Sequence, residues 1–493
     1  MSEDVDVVVI GAGFGGLGVA AGLRREGIAS FVVLERADDV GGVWRDNTYP
    51  GAGCDVPSHL YSFSFAPSPY WSRRYAPQPE ILDYLRGVAD DLDLRRHLRT
   101  GAAVERAEWD GARWRVRCAD GRAFSAVALV TATGQLSEPA VPDLPGLDEF
   151  AGPAFHSARW DHDVELAGRR VAVVGTGASA IQFVPRIAPD AAHTTVFARS
   201  APHVVPKHDP AYPRWARRLL ARVPGLLAAN RLREYVRHEV MNLGLLGNRA
   251  VLAAGTAWAR RNLARHVTDP AARRALTPDH PLGCKRLLRS DDWYPTLDRD
   301  DVTVVDAGVA GVERDAVVDT AGRRHPADVI VLGTGFRATE FLAGIDVRGA
   351  GGRSLHEVWA DGAEAHLGIT VAGFPNLFVV YGPNTNLGGN SVLYMIESQV
   401  RFLRRALPPL LVPGAAALDT DPAAQRRWAR ELTERFRGTV WDGGCDSWYR
   451  TADGRDTANW PGPTPPYRRR TRRPRPRDYS SVTRVTPGSS PVR

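Results

Sequence analysis

Only four of the 493 residues are cysteine, Cys54, Cys118, Cys284 and Cys445, and no two form a C-x-x-C pair. That argues against a dithiol redox centre, a zinc site and a disulfide framework, so reduced thiols are expected. Lysine is almost missing as well: Lys207 and Lys285 are two among 63 cationic residues, and the rest are arginine. No uninterrupted apolar run approaches the roughly eighteen residues that a membrane-spanning helix needs. The chain opens MSEDVDVVVIGAG, passing into a strand-like segment with neither a basic leader nor a cleavage signal. The expectation is a cytoplasmic protein without stable membrane insertion.

The formal charge of +7 invites a polyanion partner, but its position speaks against one. Between Arg468 and Arg493 stand nine arginines and one acid, which leaves the remainder of the chain close to neutral. A proline-containing, basic and disordered tail over 468–493 is expected, with no nucleic-acid partner. Binding of polyanions or membrane lipid through that tail stays as a rival reading. A length of 493 residues with 44% hydrophobic content suits two or three domains. Nothing in the pattern speaks to oligomeric state.

What the sequence does contain is a strand, glycine turn, helix and strand, twice over. Val5 to Ile10 is a β-branched run that meets GAGFGG at 11–16, then a helical stretch through Arg25 and a second apolar run, FVVL at 31–34. Gly11 permits the tight turn, Gly13 lets backbone approach a pyrophosphate, and Gly16 lets helix and strand pack closely, with Gly15 in the same cofactor-binding turn. Glu35 then places a carboxylate where a ribose hydroxyl can reach it. The second unit runs from RVAVV at 170–174 into Gly175, Thr176, Gly177, Ala178, Ser179 and Ala180, with the next strand at 194–198. Arg199 and Ser200 follow, where an NAD site would carry an acid. A guanidinium suits the 2′-phosphate of NADPH. Two such sites, the acid-ended one first, predict resident FAD and NADPH as hydride donor.

The fold class expected is α/β, with two Rossmann-like dinucleotide-binding domains and a helical insertion. The FAD domain would comprise residues 1–140 and return over 341–467 together with a C-terminal segment. The NADP domain would span 141–340, with the helical insertion at about 211–280.

Residues 1 to about 467 resemble a class B flavin monooxygenase, through GGVW at 41–44, LGTGF at 332–336 and YGPNTNLGG at 381–389. Within that class, FAGPAFHSARWD at 150–161 is similar to the fingerprint of type I Baeyer-Villiger monooxygenases. The resemblance implies insertion of one oxygen atom from O2 beside a ketone carbonyl, through a C4a-peroxyflavin, to give an ester or lactone. It also implies that GAGCD at 51–55 and GCKR at 283–286 bring Asp55 and Arg286 together beside the flavin. Arg286 would stabilise the anionic peroxide and Asp55 would orient its guanidinium. Lys285 and Arg199 would hold the 2′-phosphate, and Val43, Trp44, Tyr61 and Val104 would neighbour FAD. No chemical role follows for His156, which reads as a structural hinge residue, or for CDSWY at 445–449. Oxygenation of nitrogen or sulfur, and a flavin reductase, remain as alternatives; the missing C-x-x-C counts against a disulfide reductase.

Overall fold

A computed structural model describes residues 2–443, 445 and 447–484. Two sheets dominate it, the larger mixed and the second wholly parallel. In the larger, Glu3–Ile10, apolar and buried from Val7 onward, and the apolar Phe31–Leu34 pair in parallel, and Ala123–Thr131 lies along the other side of the first strand. Such runs are buried on both faces, so they read as continuous hydrophobic stretches rather than alternating ones. Leu377–Val379 and Asp346–Arg348, from far along the chain, join this same sheet. The sheet is therefore assembled from both ends of the sequence.

The second sheet has five strands in the order Val302–Val305, His193–Phe197, Arg170–Val174, Val329–Leu332, Ala154–His156, all parallel. The central strands sandwich Val171, Val173, Val196 and Val331 against Ile181, Phe183 and Val184 of the Ala180–Ile187 helix. Helices Arg214–Arg222, Leu226–Leu245, Arg249–His266 and Pro270–Ala275 form the insertion expected at 211–280. Its two ends are tied by a short parallel pairing of Val204–Val205 with Leu288–Arg289.

The fingerprint segment closes the edge of the second sheet. Residues Ala154–His156 pair with Val329–Leu332, and Trp160 packs on Phe183 at 5.3 Å and on Phe155 at 5.2 Å. A Cβ at Gly152 would collide with the Asp328 carbonyl oxygen, so this close crossing requires glycine. His156 is buried, and its Nδ1 accepts from the Ala158 N–H at 3.0 Å. Burial lowers its pKa, against the opposing pull of the Gly335 carbonyl, so the ring is neutral near pH 7.

The tail corrects the expectation of disorder over much of its length. Thr464–Arg470 is a helix with Tyr467 buried, and Tyr479–Val482 pairs antiparallel with Ala417–Thr420. Arg470 holds Glu431 at 2.6 Å, and its guanidinium lies 4.6 Å from the Trp428 ring centroid. Arginine in this segment is thus partly a packing residue, which composition cannot distinguish from a solvated charge. Residues 485–493 of the predicted tail lie outside the described residues.

Candidate active site

The two glycine turns are built alike. Gly11 has φ +100° and Gly175 φ +106°; a Cβ at either would come within 2.6 Å of a carbonyl on the neighbouring strand, Ala132 or Gly333 respectively. The helices that follow, Phe14–Arg25 and Ala180–Ile187, have no side-chain cap and no acid in the first turn. Their N-terminal N–H groups and positive dipole ends face an open turn, as an anion site requires. Gly13 lies against Gly42, Gly15 against Ala132 and Gly16 against the Gly11 carbonyl, so each stands close to a neighbour where a side chain would go.

Glu35 is buried at the end of its strand and does more than await a ribose. Its Oε2 accepts from the Ala12 N–H at 2.8 Å, Oε1 accepts from the Ala37 N–H at 3.1 Å, and Arg45 pairs with it at 3.2 Å. The carboxylate therefore fixes the glycine turn. Val43 and Trp44 open a short helix over 43–46, and the Trp44 indole N–H donates to the Tyr61 hydroxyl at 3.2 Å. Val104 starts the Val104–Trp109 strand and belongs to the core on the far sheet face, with Val32 and Leu34.

At the second turn, the Thr176 hydroxyl donates to the Ser200 carbonyl at 3.1 Å, and Lys285 Nζ donates to Ser200 Oγ at 2.9 Å. Arg199, adjacent and exposed, completes a cationic patch at the strand end. Arg199 and Lys285 are 86 positions apart in sequence and meet here because the insertion returns to its own starting point.

Arg286 and Asp55 also meet. Arg286 Nε donates to Asp55 Oδ2 at 3.0 Å and Nη2 to the same oxygen at 2.6 Å. Burial disfavours the Asp55 charge, but the Arg286 charge and hydrogen bonds outweigh it and hold the carboxyl below its usual range. The reciprocal attraction of Asp55 raises the already high pKa of Arg286. The loop bearing Asp55 is fastened to the second nucleotide unit by Gln182, whose Oε1 accepts from Tyr49 at 2.9 Å and whose Nε2 donates to the Gly53 carbonyl at 2.9 Å. The ion pair thus stands where the two cradles join.

A Baeyer-Villiger monooxygenase of Streptomyces coelicolor is 49% identical to this chain over 475 residues, 96% of this chain and 91% of that protein. The chain belongs to the Baeyer-Villiger monooxygenases. A Baeyer-Villiger monooxygenase of Pseudomonas aeruginosa is 42% identical over 94% of this chain and 89% of its own length. The family model described as pyridine nucleotide-disulphide oxidoreductase matches residues 8–244. Among solved structures, an oxidised steroid monooxygenase bound to NADP superposes with a TM-score of 0.85 at 33% identity, covering 97% of this chain and all of that one. A closed cyclohexanone monooxygenase does so at 0.86 and 29%, with 98% and 100% coverage. The protein is accordingly an FAD- and NADPH-dependent flavoprotein monooxygenase of the Baeyer-Villiger type.

Around the ion pair of this Baeyer-Villiger monooxygenase stand residues that sequence reasoning passed over. Tyr449 is buried, and its phenol faces Arg286 without closing a hydrogen bond among the described residues. Tyr381 holds φ +59° and donates to Asn386 Oδ1 at 2.8 Å. Burial pushes both phenols well above their usual pKa, so both stay protonated. Tyr381 lay within a recognised motif and Tyr449 within CDSWY; only the fold reveals that both approach Arg286.

The reduced-thiol expectation is corrected here. Cys284 and Cys445, 161 residues apart, form a disulfide with a Cα–Cα distance of 6.3 Å, while Cys54 and Cys118 are free and buried. The link joins the residue preceding Lys285 to the segment carrying Tyr449, a pairing that wide sequence spacing hides. A separate cavity of about 260 Å³ lies between the Pro422–Phe436 helix and residues 441–457, lined by Trp428, Trp441 and Asp456 among others. It contains none of the predicted site residues.

Proposed function

We propose that this protein inserts one atom of O2 beside the carbonyl of a small ketone, giving an ester or lactone, with Arg286 as its catalytic residue. The observation that carries the reading is the Arg286–Asp55 pair at the junction of the two glycine cradles. The residues fit both dinucleotides: uncapped helix N-termini for the pyrophosphates, glycine where a Cβ would block the turn, and a carboxylate at the first strand end only. Gly11, Gly13, Gly15, Gly16, Glu35, Val43, Trp44, Tyr61 and Val104 would surround FAD. Gly175 to Ala180 would receive the NADPH pyrophosphate, and Arg199, Ser200 and Lys285 its 2′-phosphate. The domains would divide as 1–140 and 341–467 for FAD and 141–340 for NADP.

Bound FAD supplies hydride acceptance from NADPH and activation of O2 toward an electrophilic carbonyl. Arg286 carries a fixed positive charge to the reacting oxygen, where negative charge develops, and does not surrender a proton at any working pH. Asp55 holds the guanidinium plane and stays ionised. Tyr381 and Tyr449 keep their protons and add no competing negative charge. Lys285, a compact ammonium held by Ser200, positions the coenzyme. Among the described residues no helix is long and apolar enough to cross a membrane; a cytoplasmic enzyme without a nucleic-acid partner fits this reading.

The test is turnover of ketones, amines and thioethers under oxygen-18 gas with NADPH. One labelled atom in the bridging position of an ester or lactone is expected. Efficient amine hydroxylation with no ester from any ketone would overturn the proposal.

A further inference from the structure

Seven of the eleven large hydrophobic side chains exposed among the described residues lie in one stretch, 215–243, on two consecutive helices of the insertion. The Arg214–Arg222 helix has no buried residue and no acid. Trp215, Leu219 and Val223 recur at four-residue spacing and form one line along it, with Trp215 69% exposed. Arg214, Arg218 and Arg222 form a second exposed line beside the first.

The Leu226–Leu245 helix repeats the pattern and turns it inside out. Leu232, Val236, Val240 and Leu243 face outward, the first 60% exposed, with Arg233 and Arg237 exposed alongside. Along most of its length its buried positions are polar, Glu234, His238 and Asn242, and only its last turn buries Gly244 and Leu245. Glu234 pairs inward with Arg74 at 2.9 Å, His238 Nδ1 bonds the Glu234 carbonyl at 2.8 Å, and Asn242 lies against Gly389. A helix of an ordinary water-soluble surface has the opposite arrangement. Between its turns, Tyr235, Val236, Glu239, Val240 and Leu243 line a shallow groove of about 200 Å³, with the Glu239 carboxylate engaged by Asn390 and Thr464.

We infer that these two helices are a docking surface for an anionic phospholipid bilayer, lying in its interface rather than crossing it. Apolar lines flanked by arginine lines on adjacent helices match the headgroup boundary, where apolar side chains enter the acyl region and guanidinium groups remain among phosphates. Charge selects this occupant over a second copy of the chain. The Arg214–Arg222 helix brings four arginines and no compensating acid, so two such faces opposed would repel, whereas anionic headgroups neutralise them. The inference is independent of the reaction assigned above. The inner face of the longer helix ends at Leu245, which packs with Trp441 and Tyr449, so the docked element is continuous with the wall of the site.

Flotation of the FAD-loaded enzyme with vesicles tests it. Vesicles of equal parts phosphatidylcholine and phosphatidylglycerol should carry the protein at low salt, release much of it at high salt, and outdo phosphatidylcholine alone. The double variants Trp215→Ala with Leu219→Ala, and Arg218→Glu with Arg222→Glu, should each weaken binding about tenfold or more. Neither pair has a buried side chain to lose, so flavin absorbance and NADPH oxidation with a water-soluble ketone should be unchanged. Absence of binding to the anionic vesicles, or binding undiminished in both variants, overturns the inference. So does a concentration-dependent dimer that the Trp215 and Leu219 substitutions convert to monomer, which would assign the face to a second copy.

Discussion

Both donors that Arg286 directs at Asp55 converge on one oxygen, Oδ2, from Nε at 3.0 Å and Nη2 at 2.6 Å. A single acceptor for two nitrogens fixes the guanidinium plane, which a point charge at the same place would not do. Arg286→Lys should therefore retain FAD and lose product formation by about 10²–10³-fold, the scale of removing one oriented charge stabiliser. NADPH would be oxidised to hydrogen peroxide instead. Ester and peroxide yields per NADPH measure it, and a normal ester yield would end the assignment. Because the folded pKa of Asp55 is depressed, its stabilising contribution is present above the unfolded value and fades only as pH falls through the depressed one, below about 4. No loss of activity near neutral pH should trace to this pair.

Lys285 donates to Ser200 beside Arg199, and the proposed role of both charges is to meet a 2′-phosphate. Replacing either by Ala should cost about 1–3 kcal/mol of NADPH recognition and leave NADH nearly untouched. Michaelis constants for both coenzymes decide it; parallel losses would remove the assignment.

The Cys284–Cys445 link can be counted directly. Denatured without reductant, the protein should take up alkylating agent at Cys54 and Cys118 only, and at all four cysteines after reduction. Cys445→Ser should lower stability by roughly 2–5 kcal/mol, the range for removing a native disulfide. Four reactive thiols in the unreduced, denatured protein would contradict the pairing.

Asp456 lies behind Tyr449 and accepts from the Ala458 and Asn459 backbone N–H groups at 3.0 and 2.8 Å. Burial raises its pKa to about 6 despite these bonds. The folded state then binds more protons than the unfolded one between about pH 4 and 6, so stability falls as pH rises through that window. The shift corresponds to about 3 kcal/mol at most. Thermal unfolding of Asp456→Asn across pH 4–7 should lack this slope; an identical slope in both proteins would exclude Asp456 as its source.

Local pattern was enough for much of this. Continuous apolar strands ending in glycine turns, an acid after one and an arginine after the other, depend on neighbours along the chain, and both strand–turn–helix units form where those rules expect them. The helical insertion was legible from its spacing, but not its orientation. On the Leu226–Leu245 helix the apolar positions would ordinarily mark the inner face, and Glu234, His238 and Asn242 occupy it instead.

The sequence by itself determined the two cradles, because a turn with φ near +100° and an uncapped helix start are local requirements. Only the tertiary structure decided what meets across long separations. It brought Tyr449 to Arg286, closed Cys284 on Cys445, fastened the Asp55 loop through Gln182 and folded Arg470 onto Glu431. The physical reason is that each partner is set by the packing of whole sheets and helices, which depends on buried surface summed over the entire fold and leaves no period or spacing at either residue.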